Sequence, residues 1–566
     1  MALDLLPTSF IFLIGALVLL ILPQGKPRAA LLLLLPVAAA VQVLTLPLGT
    51  FAQTPFFGLT LDMMRVDKLS RVFALMFCLA AFLGNLYAWH VRDTIQQVAA
   101  LLYAGSAIGA VFAGDLITLF FYWEGTALAS VFLIWARRTE GAYHTGMRYL
   151  IVQISSGVIL LAGTALFYSE TGSLAFDRMT LGSLATWLML LSFGIKCAFP
   201  LLNNWLQDSY PAATVTGTVI LSAFTTKLAV YALARGFAGT EILIYVGAVM
   251  AVVPIFFALI ENDLRRVLAY SLNSQLGFMV IGVGIGTEMA LNGTASHAFA
   301  SILYKALLFM TVGAVLFRTG TSKASELGGL YRTMPRTALF CLVGAASISA
   351  VPLFSGFVTK SLILDEAAAQ HYPVIWAILI FASVGALAHS SIRVPFAAFF
   401  SRDSGKRPAE APMHMQLAMG ITALLCILIG VFPEPLYALL PYAVDAHPYT
   451  TGHVVAQLQL LAFALLAFGV LVRAGLYPTQ TRGITLDTDW SYRRLFPWII
   501  TGVGQVVANT SNGFRSFWLR KLGRVIDGLY HSYGPEGRMA RVWPTGAMVM
   551  WIAIVLGMTL VVSFAS

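Results

Sequence analysis

Gly194-Ile195-Lys196-Cys197-Ala198-Phe199-Pro200 lies about midway through an apolar run, residues 183–205, that is otherwise long enough to cross a bilayer. Proline has no N–H to give to the carbonyl four residues back. That carbonyl belongs to Lys196, so the helix is expected to open at the lysine. An ammonium group beside freed backbone polar groups in lipid needs water or polar partners, and the stretch reads as a wet site inside a spanning helix. The device recurs five spans later, where Pro352 precedes Ser355-Gly356-Phe357 and then Lys360. Two interrupted helices, each carrying a lysine, are what a transporter built from inverted repeats would show, since an odd repeat of five helices reverses its orientation.

The rest of the chain suits that reading. Of 566 residues, 59% are hydrophobic and 11% charged, and the mean hydropathy is +0.82. Soluble domains carry about 25% charged residues, so soluble, disordered, collagen-like and disulfide-rich secreted classes are excluded. About sixteen apolar runs predict an all-α polytopic membrane protein. Helices 1–3 fall in residues 1–95, a first five-helix repeat (helices 4–8) in 96–236, and an inverted second repeat (helices 9–13) in 240–397, with helices 7 and 12 broken. Helices 14 and 15 fall in 412–475, an amphipathic segment in 476–543 and a final span in 544–566. The first run lacks a cleavage site and passes through Pro27 into a second span, so it reads as a retained helix. Cys78, Cys197, Cys341 and Cys426 lie far apart in apolar runs, with neither a disulfide framework nor metal-ligand spacing.

The 35 lysines and arginines test this map, because cytoplasmic loops hold an excess of them. With the first connection placed inside, 25 fall in inner loops, five in outer loops (Arg65, Lys68, Arg71, Arg178 and Arg235) and five in no loop. This bias puts both termini on the outer side. It also assigns the net charge of +10 to topology and anionic lipid, with no nucleic acid needed.

The five basic residues that no loop claims are Lys196, Lys227, Lys305, Lys360 and Arg393, and Glu124 joins them. Each such charge at a helix centre costs about 2.5–3.5 kcal/mol, so six of them would cost roughly 15–20 kcal/mol without partners or internal water. Such a set is kept for function, although Arg393, near the inner end of its span, has the alternative of snorkelling. Glu124, in Phe121-Tyr122-Trp123-Glu124-Gly125, sits near the bilayer midplane and needs a cation, for which Lys196 is the natural partner. His297, Ser301 and Lys305, spaced i, i+4 and i+8, share one helix face over about 12 Å. Such a file suits proton hopping; the plainer alternative is a histidine bonded to a neighbouring helix. Lys227, preceded by Thr225 and Thr226, fills the gap between Lys196 and Lys305 in chain order. A lateral relay follows: Glu124, Lys196, Lys227, Lys305, Lys360. A charge that moves beside the Glu124–Lys196 pair changes the lysine's hold on its proton, which couples proton movement to ion movement elsewhere. There is no phosphate loop, HExxH or CxxC, and the glycines of Gly282–Gly286 lie in a span where small residues serve packing, so neither a cofactor nor a metal is expected.

These residues resemble the antiporter-like family shared by Mrp-type cation/proton antiporters, the membrane arm of respiratory complex I and membrane-bound hydrogenases. The likeness runs from about Asp67 to Lys360. It is carried by Asp67-Lys68-Leu69-Ser70, by Phe121 to Glu124, by Lys196 with Trp205 and Asp208 to Pro211, and by Thr226-Lys227 with Val230 to Leu233, closest to the Mrp D-type subunit. Asp263-Leu264-Arg265-Arg266-Val267-Leu268-Ala269-Tyr270-Ser271 with Gln275-Leu276-Gly277 is nearly the family signature, and Ser355-Gly356-Phe357 to Lys360 resembles its twelfth-helix motif. Asn203, Gln207, Glu261 and Ser301 depart from the usual residues. The resemblance implies a coupling pair of Glu124 and Lys196, a central relay of Lys227 and Lys305, and Lys360 as the terminal group toward the outer side. It implies a proton-translocating subunit of a multisubunit cation(Na+)/proton antiporter in a bacterial inner membrane, beside other antiporter-like subunits. That is part of a transporter and not an enzyme in itself. Alternatives are a proton-pumping subunit of a complex I-like or hydrogenase oxidoreductase, and the proton-driven partner of an inorganic-carbon uptake complex. The basic, aromatic-rich stretch Asp487–Arg541 resembles the lateral helix of the largest such complex I subunit, and is expected to lie flat on the cytoplasmic surface, or else to be a simple loop helix.

Overall fold

The computed structural model describes residues 6–475, 490, 494–534 and 545–565. The chain forms two units, Met1–Asp487 and Thr488–Ser566. It is a polytopic membrane protein, nearly all helical. Among the described residues thirteen helices are long and apolar enough to cross a membrane, and Thr8–Ile21, Leu184–Cys197 and Pro335–Ile348 are shorter apolar helices.

The first unit opens with α1 (Thr8–Ile21) and α2 (Lys26–Thr45). An antiparallel hairpin follows, β1 (Gly49–Phe56) and β2 (Leu59–Val66), which the all-α expectation did not include. Its two-residue turn is Phe57-Gly58, at φ 48° and 83°, the positive pair that matches the twist of a tight hairpin. Strand β1 has no buried residue, so it lacks the apolar alternation that marks a strand in sequence. Asp67 then starts α3 (Lys68–Tyr87): its carboxylate accepts from the Ser70 N–H, and the Ser70 hydroxyl accepts from the Asp67 N–H.

Next come α4 (Thr94–Phe112), α5 (Leu116–Trp135) and α6 (Glu140–Thr171), then the short pieces α7 (Leu184–Cys197), α8 (Asn204–Ala212), α9 (Val215–Leu221) and α10 (Thr225–Gly236). Three long helices follow, α11 (Ile242–Ile260), α12 (Leu264–Ile285) and α13 (Glu288–Thr319). They start 148 residues after α4, α5 and α6 in turn: 242 against 94, 264 against 116, 288 against 140. The details recur at the same offset. Asp115 and Asp263 cap α5 and α12 and form isolated bridges with Ala175 and Lys323, and Thr139 and Thr287 cap α6 and α13. Gly172 and Gly320, at φ 68° and 76°, end those two helices, where the left-handed backbone favours glycine. Helices α11 and α12 meet closely: a Cβ on Gly277 would lie 2.6 Å from the Gly247 carbonyl oxygen.

The two interruptions also match. Helix α7 ends at Cys197, one residue beyond the lysine at which it was expected to open, and α14 (Pro335–Ile348) ends before α15 (Ser355–Ala369). Ala198 and Leu201 adopt φ 61° and 68°, and Ala350 and Leu353 adopt 56° and 74°, around Pro200 and Pro352. Phe199 N–H donates to the Gly194 carbonyl, and Val351 N–H to that of Ala346, each five residues back. The chain thus turns out of each helix by one hydrogen-bonded device. Four non-glycine residues held at positive φ are the kind of local strain that surrounding packing has to impose.

Helix α16 (Pro373–Ala386) continues through π-helical turns at Leu387–Ile392 and Phe396–Phe400, and helices Met413–Val431 and Thr451–Arg473 follow. In the second unit, a 38-residue helix spans Phe496–Tyr533 and an apolar one spans Thr545–Ala565. Of the amphipathic segment expected at 476–543, residues 476–489, 491–493 and 535–543 lie outside the described residues.

Candidate functional site

Six sequence-singled residues, Glu124, Lys196, Lys227, His297, Lys305 and Lys360, lie on α5, α7, α10, α13 and α15. Each lysine is at most 2% exposed, and His297 is fully buried. The Lys196 ammonium donates to the Trp123 carbonyl at 2.5 Å and to Thr126 Oγ1 at 2.9 Å, and lies 4.4 Å from the centre of the Trp123 ring. Trp123 is itself fixed, since its Nε1–H donates to Ser156 Oγ at 3.0 Å.

Glu124 is the charged neighbour that acts on Lys196, but the two make no direct ion pair, and Glu124 Oε1 is buried without a hydrogen bond. The carboxylate instead fills the notch at Gly157 of α6, where an added Cβ would sit 1.5 Å from Oε1. Gly157→Ala should therefore drive the flexible end of Glu124 out of this notch, changing its placement relative to Lys196, and not unfold the helix. The expected result is loss of ion-coupled transport in vesicles with the usual amount of assembled complex; unchanged transport would show that the notch does not position the carboxylate.

Beyond the break, Lys227 donates to the Ser222 carbonyl at 2.8 Å and acts electrostatically on Cys197, which joins it to the end of α7. Lys305 donates to Ser271 Oγ at 2.5 Å, and Lys360 to the Ile348 carbonyl at 2.6 Å, the last residue of α14. His297 does not bond along its own face to Lys305. Its Nδ1 meets Thr359 Oγ1 at 3.1 Å and its Nε2 the Tyr304 hydroxyl at 3.3 Å, while Phe278 lies 5.9 Å from its ring and 5.0 Å from the Lys360 amine. Lys227, Lys305 and Lys360 all act on His297. Histidine is thus both tied to a neighbouring helix and set among the amines.

An ammonium has three N–H groups to place. The structure gives Lys196 two acceptors and Lys227, Lys305 and Lys360 one each, all of them neutral oxygens. Elsewhere on α6, α8, α10 and α12, side-chain polar atoms of Gln153, Gln207, Tyr210, Thr226 and Gln275 are buried with no partner in the protein. A buried polar group left so costs about 1–3 kcal/mol, which makes these positions ones that favour internal water. Arg393 has another job: its guanidinium donates to the carbonyls of Ala258, Leu259 and Glu261, closing the C-terminal end of α11. It is 3% exposed and does not snorkel.

Sequence reasoning missed Trp123 and Thr126 as acceptors, Gly157, and the polar group of Ser271, Ser390 and His389. Only His389-Ser390-Ser391, four residues before Arg393, offered a signal for the last.

The family described as NADH:quinone oxidoreductase/Mrp antiporter, TM, matches residues 113–385. A probable K(+)/H(+) antiporter component of Rhizobium meliloti is 28% identical over 411 residues, 67% of this chain and 41% of that protein. The chain therefore spans less than half of that relative. NADH-quinone oxidoreductase subunit L of Escherichia coli is 30% identical over 485 residues, 78% of this chain and 76% of the relative. A chain of the archaeal membrane-bound sulfane sulfur reductase has the same fold, with a TM-score of 0.72 at 22% identity, covering 99% of this chain and all of that one.

Proposed function

The chain belongs to the NADH:quinone oxidoreductase/Mrp antiporter family, and from that premise we propose that it is a proton-translocating subunit of a multisubunit cation/proton antiporter, with Na+ as the exchanged ion. It would work in a bacterial inner membrane beside other antiporter-like subunits, with both termini on the outer side. The observation that carries this reading is the set of four buried amines held only by neutral oxygens. A structural cation in a low-dielectric interior is normally matched by a carboxylate or held by several acceptors, as Arg393 is by three carbonyls. An amine with unfilled donors is instead suited to exchange protons with water. The matched helices and breaks support two five-helix halves, inverted with respect to each other. Protons step along Lys196, Lys227, Lys305 and Lys360, His297 stands between Lys305 and Lys360, and Glu124 modulates the first step through its charge on Lys196.

A second reading, the same module driven by redox chemistry in a neighbouring subunit, is favoured by the full-length likeness to a respiratory membrane complex. Copurified partners decide between them. For either, Glu124→Ala and Lys305→Ala are expected to suppress proton uptake into vesicles carrying the assembled complex. Normal uptake in both would remove the relay.

A further inference from the structure

Two groups outside that relay continue it. Ser390 Oγ donates to Ser271 Oγ at 2.5 Å, the same oxygen that takes the Lys305 amine at 2.5 Å, and Ser390 Oγ lies 2.8 Å from His389 Nδ1. Lys305, Ser271, Ser390 and His389 thus form one unbroken chain across α13, α12 and the π-helical turn after α16. That turn is why two consecutive residues reach it. Arg393 N–H donates to the Ala388 carbonyl, five residues back, and the widened helix holds His389 and Ser390 both fully buried. The Ser390 hydroxyl has a single proton, given to Ser271, so His389 Nδ1 must be the donor to Ser390. His389 Nε2 is then a bare acceptor, and it is buried with no partner in the protein.

We infer that His389 is a proton-exchanging residue, the point at which Lys305 trades its proton with the side of the bundle where Arg393 closes α11. The inference rests on the proton-relay reading above. The step starts from the other tautomer, with the His389 proton on Nε2 and both hydroxyls turned toward the ring: a proton leaves Lys305 Nζ for Ser271 Oγ as the Ser271 hydroxyl proton passes to Ser390 Oγ. The Ser390 proton passes to His389 Nδ1, and the imidazole releases its Nε2 proton to water. One proton enters and one leaves, no charge stays on the serines, and Ser390 is left donating to Ser271, as observed. The reverse direction uses the same atoms. The charged groups that act on His389 are Lys305, Arg393 and Lys360, all cationic. Among the described residues no carboxylate acts on the ring, so none of them would trap its extra proton.

His389→Asn keeps a polar atom near the Nδ1 position but removes the second nitrogen, and Ser390→Ala cuts the chain one atom earlier. Proton uptake would be measured in vesicles carrying the assembled complex, with the amount of complex determined in parallel. Each variant should lower uptake per complex on the order of 100-fold, the lower end of what a positioned proton-transfer group contributes. The double variant should be no worse than either single one, because both interrupt the same step. Normal uptake in His389→Asn overturns the inference. So do losses that add, or that track the amount of complex, since these mark a packing role. Lys196→Ala serves as the control: if it abolishes uptake while His389→Asn does not, the branch alone fails, and if neither has an effect the relay itself fails.

Discussion

Lys196→Ala is expected to abolish ion-coupled transport in vesicles while the complex still assembles. Assembly survives because the amine can go without stranding its partners. The Trp123 carbonyl still accepts from Thr126 Oγ1 at 2.7 Å, and Thr126 is satisfied by that same bond. Transport fails because Lys196 is the charge acting on Glu124 and the amine nearest the start of the relay. Lys196→Arg separates two roles. A guanidinium keeps the positive charge beside Glu124 but does not give up its proton at any working pH. If Lys196 carries protons, arginine should be nearly as inactive as alanine. If only its charge matters, arginine should restore much of the rate. A normal rate with alanine would remove Lys196 from the mechanism altogether.

How far these roles were legible in the sequence differs residue by residue. The breaks near Lys196 and before Lys360 were readable because proline acts locally, withholding one N–H from one known carbonyl. The buried lysines were readable because lipid tolerates so few charges that each must be explained. The acceptors were not readable. A backbone carbonyl such as that of Trp123 has no sequence signature, and it comes within reach of Lys196 only when α5 packs beside α7. The expected ion pair failed for a related reason: Glu124 has a glycine notch in α6 to turn into, and Gly157 is 33 residues away in sequence (157 against 124). His389 was hidden differently. A lone histidine four residues from an arginine in an apolar run looks like interfacial polarity, and only the π-helical turn, which rotates it inward with Ser390, joins it to Lys305. Even the matched halves escaped residue-level alignment, since the 148-residue offset rests on a few isolated cap and turn residues, such as Asp115 and Asp263 or Thr139 and Thr287, and not on a run of shared residues: Arg138 at φ 55° occupies the place of Gly286 at 71°.

Arg265→Ala should fail in the opposite way, with little assembled complex and no defined transport defect per molecule. Arg265 is 2% exposed, and its guanidinium donates to the carbonyls of Pro211 at 2.9 Å, Tyr210 at 3.1 Å, Ala213 at 3.0 Å and Thr214 at 3.2 Å, and also to Thr218 Oγ1. It thereby closes the end of α8, caps the turn into α9, and binds both to α12, so the first half of the bundle is pinned to the second through one side chain. These bonds are charge-assisted, worth about 1.5–3 kcal/mol each. Truncation also strands carbonyls in a buried turn, so a loss on the order of 5 kcal/mol is expected, a large part of what holds a domain folded. Heating the solubilised complex should show a clearly lowered unfolding midpoint for Arg265→Ala and an intermediate one for Arg265→Lys, whose single amine reaches fewer of the carbonyls. Lys196→Ala should leave that midpoint nearly unchanged. The contrast follows from how each cation is held: Arg265 and Arg393 each bond three or more backbone carbonyls and frame the bundle, whereas Lys227, Lys305 and Lys360 each bond a single oxygen. An Arg265→Ala complex that assembled normally but moved no protons would place the guanidinium in the pathway and erase that distinction.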